Sequence, residues 1–506
     1  MNKSVNVVLV LIFSSLGMGL YAQCDSMKTY EDAPDRIFIK IDPNDFYQGA
    51  QLYDPNDPPP PPPAETRRIY FIHGLGGDAM AWEKAAEACW NKSLGLNKVG
   101  FPARQCIVDR PDYNNSTGSL ASAADGLRSA ISVIASHDRS IGLDPKRAIL
   151  IGHSQGGLVM RQLMNFDMVQ YPNHITKVNG EMNYGGIVTV ASSLQGAKIL
   201  DNRGDIFALA NDGCKKLVVG PTIALLNNVS VDLNLGTVAS WFVKEEDIKN
   251  AIRGMLGNIL GNIVPTVCDA ATNDIMPMFF KHYYAGITED YKIGASTINT
   301  LNNDVSKFQY NDFPKVVFYA VEPQENIFWR TLNWMLYNPN GNNGPNAPNI
   351  DYFGANDDWF LYDNRIKNMI AHYQAKKEYH RIMSDFWWSI LDKTKNKNKK
   401  SVLTAAIYAE YASIGYGQGL EWFNNINETW KTIIGARVQN GNTITYKDND
   451  GIVLAESAAN LPGSNKKVVR IEGSSHMQIR NDGNIKRELN YLFNGDTHPW
   501  FYVAPQ

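Results

Sequence analysis

Short runs of consecutive apolar residues, each stopped by a glycine or a polar cluster, set the rhythm of the first half of the chain. Ile69-Tyr70-Phe71-Ile72 stops at His73-Gly74, and Ala148-Ile149-Leu150-Ile151 stops at Gly152. Residues 105 to 108 and 187 to 191 are runs of the same kind. A strand covered on both faces has no polar side, so such runs predict strands of a parallel sheet. Between them, apolar residues recur at helical spacing: Leu120, Ala124, Leu127, Ile131 and Ile134, then Leu158, Val159, Leu163 and Met164. The alternation predicts an α/β protein with a mostly parallel central sheet and helices on both faces.

After about residue 195 the rhythm changes. Ile248, Ile252, Met255, Ile259 and Leu260 give a helical pattern, and Phe328-Trp329, Trp334 and Phe386-Trp387-Trp388 mark aromatic helical stretches. One buried strand is predicted between these regions, at Lys315 to Val321. The α/β pattern returns with a helix near Leu454 to Asn460, a strand from Val468 to Ile471, and a helix carrying Ile485, Leu489 and Leu492. The predicted architecture is one sheet domain interrupted twice by large, mainly helical cap insertions. Its core occupies 66–200, 311–322 and 441–506, and the insertions occupy 201–310 and 323–440.

The first residues carry a different signal. Lys3 precedes an apolar stretch from Val5 to Leu16, and Leu20-Tyr21-Ala22 offers a cleavage site. Ser14, Ser15, Gly17 and Gly19 interrupt a stretch already short for a membrane span, so 1–22 is expected to be a signal peptide of a secreted or periplasmic protein. A lipid anchor on Cys24 is the rival, disfavoured by the bulky Gln23 before it. Residues 23–65 form an extended lead-in ending in the six prolines Pro58 to Pro63, a stiff spacer. In an oxidising compartment the economical cysteine pairs are Cys89 with Cys106 and Cys214 with Cys268.

Composition narrows the partners. Hydrophobic residues make 44% and charged residues 20% of the 506, and the net charge is -3, which suits a globular protein without a nucleic-acid partner. The lysines between Lys395 and Lys400 are too short a run to change that. No cysteine or histidine spacing suggests zinc, and Asp448-Asn449-Asp450-Gly451 lacks the further acidic ligands of a calcium loop, so neither metal nor cofactor is expected.

Chemistry concentrates at Gly152-His153-Ser154-Gln155-Gly156-Gly157, between a buried strand and an amphipathic helix. A G-x-S-x-G turn in that setting lifts its serine above the sheet edge as a nucleophile, with glycines where the sharp turn excludes side chains. A serine needs a base and the base an orienting acid. His476 follows the last strand and takes the base role, with His498 as competitor; Asp450 takes the acid role, with Asp448 and Glu322 as competitors. His73-Gly74-Leu75-Gly76-Gly77 follows the first core strand. The N–H groups of Leu75 and Gln155 are the expected oxyanion donors. A phosphate loop would need Lys and Ser/Thr where Asp78-Ala79-Met80 stands.

Together these motifs resemble the α/β-hydrolase superfamily, most of all its bacterial secreted lipases and esterases. Asn449-Asp450-Gly451-Ile452-Val453 is similar to the lipase motif that carries the acid on its Asp, and Leu75 stands where that family's oxyanion donor follows His-Gly. The resemblance implies a secreted serine hydrolase cleaving carboxylic esters through an acyl-enzyme on Ser154. A small-molecule or lipid ester would be its substrate, and the apolar cap suits transient contact with a lipid surface. Acyl transfer, or amide or thioester cleavage, would use the same triad, and a non-catalytic binding protein on the same fold is the remaining alternative. The cap is larger than a typical lipase lid, so chain-length preference and oligomeric state stay open.

Overall fold

The computed structural model describes residues 67–77, 79–82, 106–113, 118–140, 148–170, 184–228, 268, 286–307, 314–322, 327–331, 355–482, 484, 485, 488, 489 and 492. The expected signal peptide, the proline lead-in, Cys24, Cys89, His498 and much of the 201–310 insertion lie outside these residues.

Six strands form one parallel sheet: β1 (Arg67–Ile72), β2 (Cys106–Asp109), β3 (Ala148–His153), β4 (Tyr184–Val190), β5 (Lys315–Val321) and β8 (Lys466–Glu472), ordered β2-β1-β3-β4-β5-β8. The chain steps from β1 out to the edge at β2, then returns past β1 to β3 and proceeds toward the other edge. Strand order therefore reverses between β1 and β3. In open α/β sheets the carboxyl ends of such strands border the crevice where chemistry is placed.

The apolar runs of β1, β3 and β4 are buried because helices cover them. Leu120, Ala124 and Leu127 of α1 (Leu120–Ser140) and Leu158, Val159 and Leu163 of α2 (Gln155–Gln170) share a core with Tyr70, Ile72 and Leu150. β8, at the edge, is mostly exposed apart from Ile471, and its Val468 is 44% exposed.

The two insertions meet rather than forming separate caps. Helix α3 (Arg203–Asn228) comes from the first insertion, and α5 (Ala355–Leu391) with α6 (Asn396–Ile433) from the second; α6 packs along both others. Helix α4 (Ser296–Lys307) lies closer to the sheet, against α2. Small residues let α3 and α6 approach: a Cβ added to Gly415 would lie 2.7 Å from the Cα of Gly220. Cys214 and Cys268 form a disulfide that ties α3 to the rest of its insertion. Trp329, Trp422, Trp430 and Phe423 are buried and Phe328 packs against them half-buried; most of these rings meet edge-on, and Trp329 stacks on Phe423. Trp387 and Trp388 pack partly against a second apolar cluster around Leu403 and Ile407. These aromatics are cap core, so the tryptophan count alone does not make the cap a lipid-facing surface. Among the described residues no helix is long and apolar enough to cross a membrane.

One element had no counterpart in the apolar pattern. A hairpin of β6 (Arg437–Asn440) and β7 (Thr443–Tyr446) leads into the Asp450 loop. The acid loop therefore follows a two-stranded hairpin, not a strand of the main sheet.

Candidate active site

Ser154 alone makes the turn between β3 and α2, and it does so with φ of 52°. For a residue with a Cβ this left-handed conformation costs about 1–2 kcal/mol, so the surroundings must hold it. The Ser154 N–H donates to the Val190 carbonyl at 2.9 Å, and its own carbonyl accepts from the Gly157 N–H at 3.2 Å. The glycines are required by approach. A Cβ on Gly152 would lie 2.6 Å from the Gly156 backbone, and one on Gly156 would lie 2.6 Å from the Ile72 carbonyl oxygen. Helix α2 thus starts pressed against β1 and β3, and Ser154 is the one side chain the turn leaves partly exposed.

The structure brings His476 and Asp450 to this serine. The Ser154 Oγ lies 2.8 Å from His476 Nε2, and His476 Nδ1 lies 2.8 Å from Asp450 Oδ2. A carboxylate oxygen accepts, so Nδ1 carries the proton and Nε2 presents a lone pair to the serine hydroxyl. The second carboxylate oxygen, Oδ1, accepts from the N–H groups of Ile452 at 3.0 Å and Val453 at 2.7 Å. These bonds compensate a carboxyl only 1% exposed. The Asn-Asp-Gly turn supplies that geometry itself. Gly451 has φ of 92° and accepts at its carbonyl from Trp430 Nε1 at 2.8 Å, while its N–H donates to Asn449 Oδ1 at 3.0 Å. The last turns of cap helix α6 therefore hold the acid loop.

The competing acids are engaged elsewhere. Asp448 is exposed and accepts from Arg470 Nη1 at 2.7 Å. Glu322 is buried against Arg330, whose Nε lies 2.6 Å from its carboxylate. Arg330 also donates through Nη2 to the Gly473 carbonyl at 3.0 Å and to Gln478 Oε1 at 2.9 Å. The Glu322 N–H donates to the Asn449 carbonyl at 2.8 Å. This ion pair thus pins the loops on both sides of the His476–Asp450 contact, a role without a local signature, because Arg330 and Gly473 are 143 residues apart.

Burial pushes the Glu322 carboxyl up to about 7, against the lowering pull of Arg330. A carboxyl raised in the folded state gives stability that is complete below its ordinary value of 4.5 and lost as pH rises through about 7. Arg330→Met removes the positive charge that offsets burial of the Glu322 carboxylate and its repulsion by Asp450 and Asp482. We expect a loss of about 3–5 kcal/mol near pH 8 and a smaller one near pH 5, where Glu322 is protonated. Urea unfolding at the two pH values checks this; an equal loss at both contradicts it.

The two expected oxyanion donors lie in the segments beside Ser154. Gln155 opens α2, at the positive end of the helix dipole. Leu75 lies in the turn closed by the Gly77 N–H donating to the Gly74 carbonyl at 3.1 Å. That loop runs close to Ser154: a Cβ on Gly74 would lie 3.0 Å from the Ser154 Cβ. Two residues the sequence did not single out fix it. Trp82 Nε1 donates to the Ile72 carbonyl at 2.9 Å, and the Tyr113 hydroxyl donates to the His73 carbonyl at 2.7 Å. The His73 ring stacks on Tyr113 and lies 3.0 Å from Asp112 Oδ1. Among the described residues no group of three His, Cys, Asp or Glu side chains is placed to hold a metal ion.

Residues 69–243 match the alpha/beta hydrolase family. No curated protein matches the chain. Among solved structures it is similar to lipase 1 from Pelosinus fermentans, at 11% identity over 83% of this chain and 94% of that one, with TM-score 0.31. It is also similar to the phospholipase PlaB from Legionella pneumophila, at 13% identity over 51% of this chain, with TM-score 0.28. The match spans 40% of the phospholipase's length. An extracellular alpha/beta-hydrolase from a Paenibacillus species matches at 20% identity over 29% of this chain and 51% of its own, with TM-score 0.18. With its strand order, its elbow serine at the crossover and the family match over 69–243, the core of this chain has the α/β-hydrolase fold.

Proposed function

We propose that the chain is a serine ester hydrolase working through an acyl-enzyme on Ser154. The observation that carries the proposal is the unbroken contact from Ser154 Oγ to His476 and on to Asp450, 2.8 Å at each step. His476 Nε2 takes the hydroxyl proton as Oγ bonds to the ester carbonyl carbon. The developing oxyanion lies between the Leu75 and Gln155 N–H groups. His476 then returns the proton to the departing alkoxide, and the same base activates water to release the acid and regenerate Ser154.

The Cys214–Cys268 disulfide supports export to an oxidising compartment, in keeping with the signal-peptide pattern of residues 1–22. The substrate class we propose is a small-molecule or lipid ester. Hydrolysis of nitrophenyl esters, from short to long acyl chains, tests the assignment with the mature protein and Ser154→Ala. We expect turnover by the wild type and a loss of about 10⁶-fold in the variant, with the chain-length optimum separating esterase from lipase. Comparable rates for both proteins would refute it.

A further inference from the structure

The side chain of His153, the second residue of the elbow, is 1% exposed and specifically engaged. Its Nε2 lies 2.7 Å from the main-chain carbonyl oxygen of His476. That carbonyl only accepts, so His153 carries its proton on Nε2 and donates. The rings of the two histidines are 5.0 Å apart, and Trp82 meets the His153 ring edge-on at 6.0 Å. On its other side the ring faces the oxyanion loop: a Cβ on Gly74 would lie 3.1 Å from His153 Nδ1.

The base is thereby anchored at every polar point. Its N–H donates to the Asp450 carbonyl at 2.8 Å, its carbonyl accepts from His153, and its ring bridges Asp450 and Ser154. We propose that His153 is a positioning residue, whose Nε2–H clamps the His476 backbone so that the imidazole stays aligned between Ser154 and Asp450. Burial, then the nearby His476 and Arg480, hold the His153 imidazole well below its ordinary range, so it stays neutral beside a base that becomes an imidazolium during turnover. The groups facing it are His476, Arg480 and His73, all of which oppose a second positive charge there. The inference rests on the triad proposed above.

The test compares His153→Phe, which keeps a ring without a donor, with His153→Gln, whose amide can still donate. Two readouts are used: the rate of Ser154 labelling by a fluorophosphonate, which needs no substrate, and kcat and KM on a nitrophenyl ester. We expect His153→Phe to lose about 10- to 100-fold in kcat and labelling rate with KM little changed, the scale of a misplaced catalytic group. His153→Gln should recover most of the loss. Should His153→Phe not fold, His153→Asn decides, since its shorter amide does not reach the carbonyl and should lose as much. Wild-type kinetics in the Phe or Asn variant, or equal losses in Phe and Gln, overturn the proposal. A wild type that is not labelled sinks the triad and this inference together.

Discussion

Replacing His476 with alanine should lower kcat on an ester by about 10⁴- to 10⁶-fold while leaving the fold in place. Without the base the Ser154 hydroxyl keeps its proton, and a neutral hydroxyl is a poor nucleophile. The residual rate over water would come from the oxyanion donors and from binding. The loss should nearly equal that of Ser154→Ala, and the double variant should be scarcely worse than either single one. Residues that act as one unit are removed once, whichever member goes. Circular dichroism and a thermal scan show whether the variants fold, and kcat/KM on one nitrophenyl ester reads the effect. A His476→Ala enzyme within tenfold of the wild type would move the base to another histidine.

The second large effect concerns the acid. Asp450→Asn should cost about 10⁴-fold in kcat, because an amide nitrogen opposite Nδ1 favours the wrong imidazole tautomer. Asp448→Ala should stay within a few-fold, since Asp448 is exposed and engages Arg470 rather than His476. Glu322 falls between. It contacts Arg330, so Glu322→Gln should act on stability more than on the chemical step. The ranking Asp450, then Glu322, then Asp448 in kcat is the expected result. A larger loss at Glu322 than at Asp450 would reassign the acid.

Much of this arrangement was written in local runs. The strands β1, β3 and β5 are legible because burial on both faces forces unbroken apolar stretches, and Ser154 because the elbow demands glycines at 152 and 156. The Asn-Asp-Gly turn is legible for the same kind of reason: Asp450 Oδ1 takes two N–H groups from within its own turn. The β6–β7 hairpin is not legible although Asn440-Gly441 is a turn signal, since each strand is only four residues long and the alternation of Ile444 and Tyr446 in β7 faces solvent throughout. The union of the two insertions depended on glycine contacts between α3 and α6, far apart along the chain. The supporting residues were the least legible. His153 meets the His476 carbonyl across 323 residues, and Arg330 meets Gly473 across 143. No spacing rule reaches such distances.

The size of the second insertion also explains why the acid looked ambiguous. It separates β5 from Asp450 by the α5–α6 hairpin, and Glu322 sits at the end of β5 where an acid would be sought. The fold resolves this by hanging the acid loop back on β5, with the Glu322 N–H bound to the Asn449 carbonyl and Trp430 of α6 bound to Gly451. The cap is thus joined to the catalytic rim and not merely laid over it.

The proposed mechanism turns on an acyl group carried by Ser154, which can be trapped. The nitrophenyl ester reactions are quenched with acid within the first turnovers, and the digested protein is weighed by mass spectrometry. The added mass of the acyl group is expected on the peptide containing Ser154, in wild type and not in Ser154→Ala. Turnover by the wild type with no acylated peptide, or an acyl group found on another residue, would contradict it.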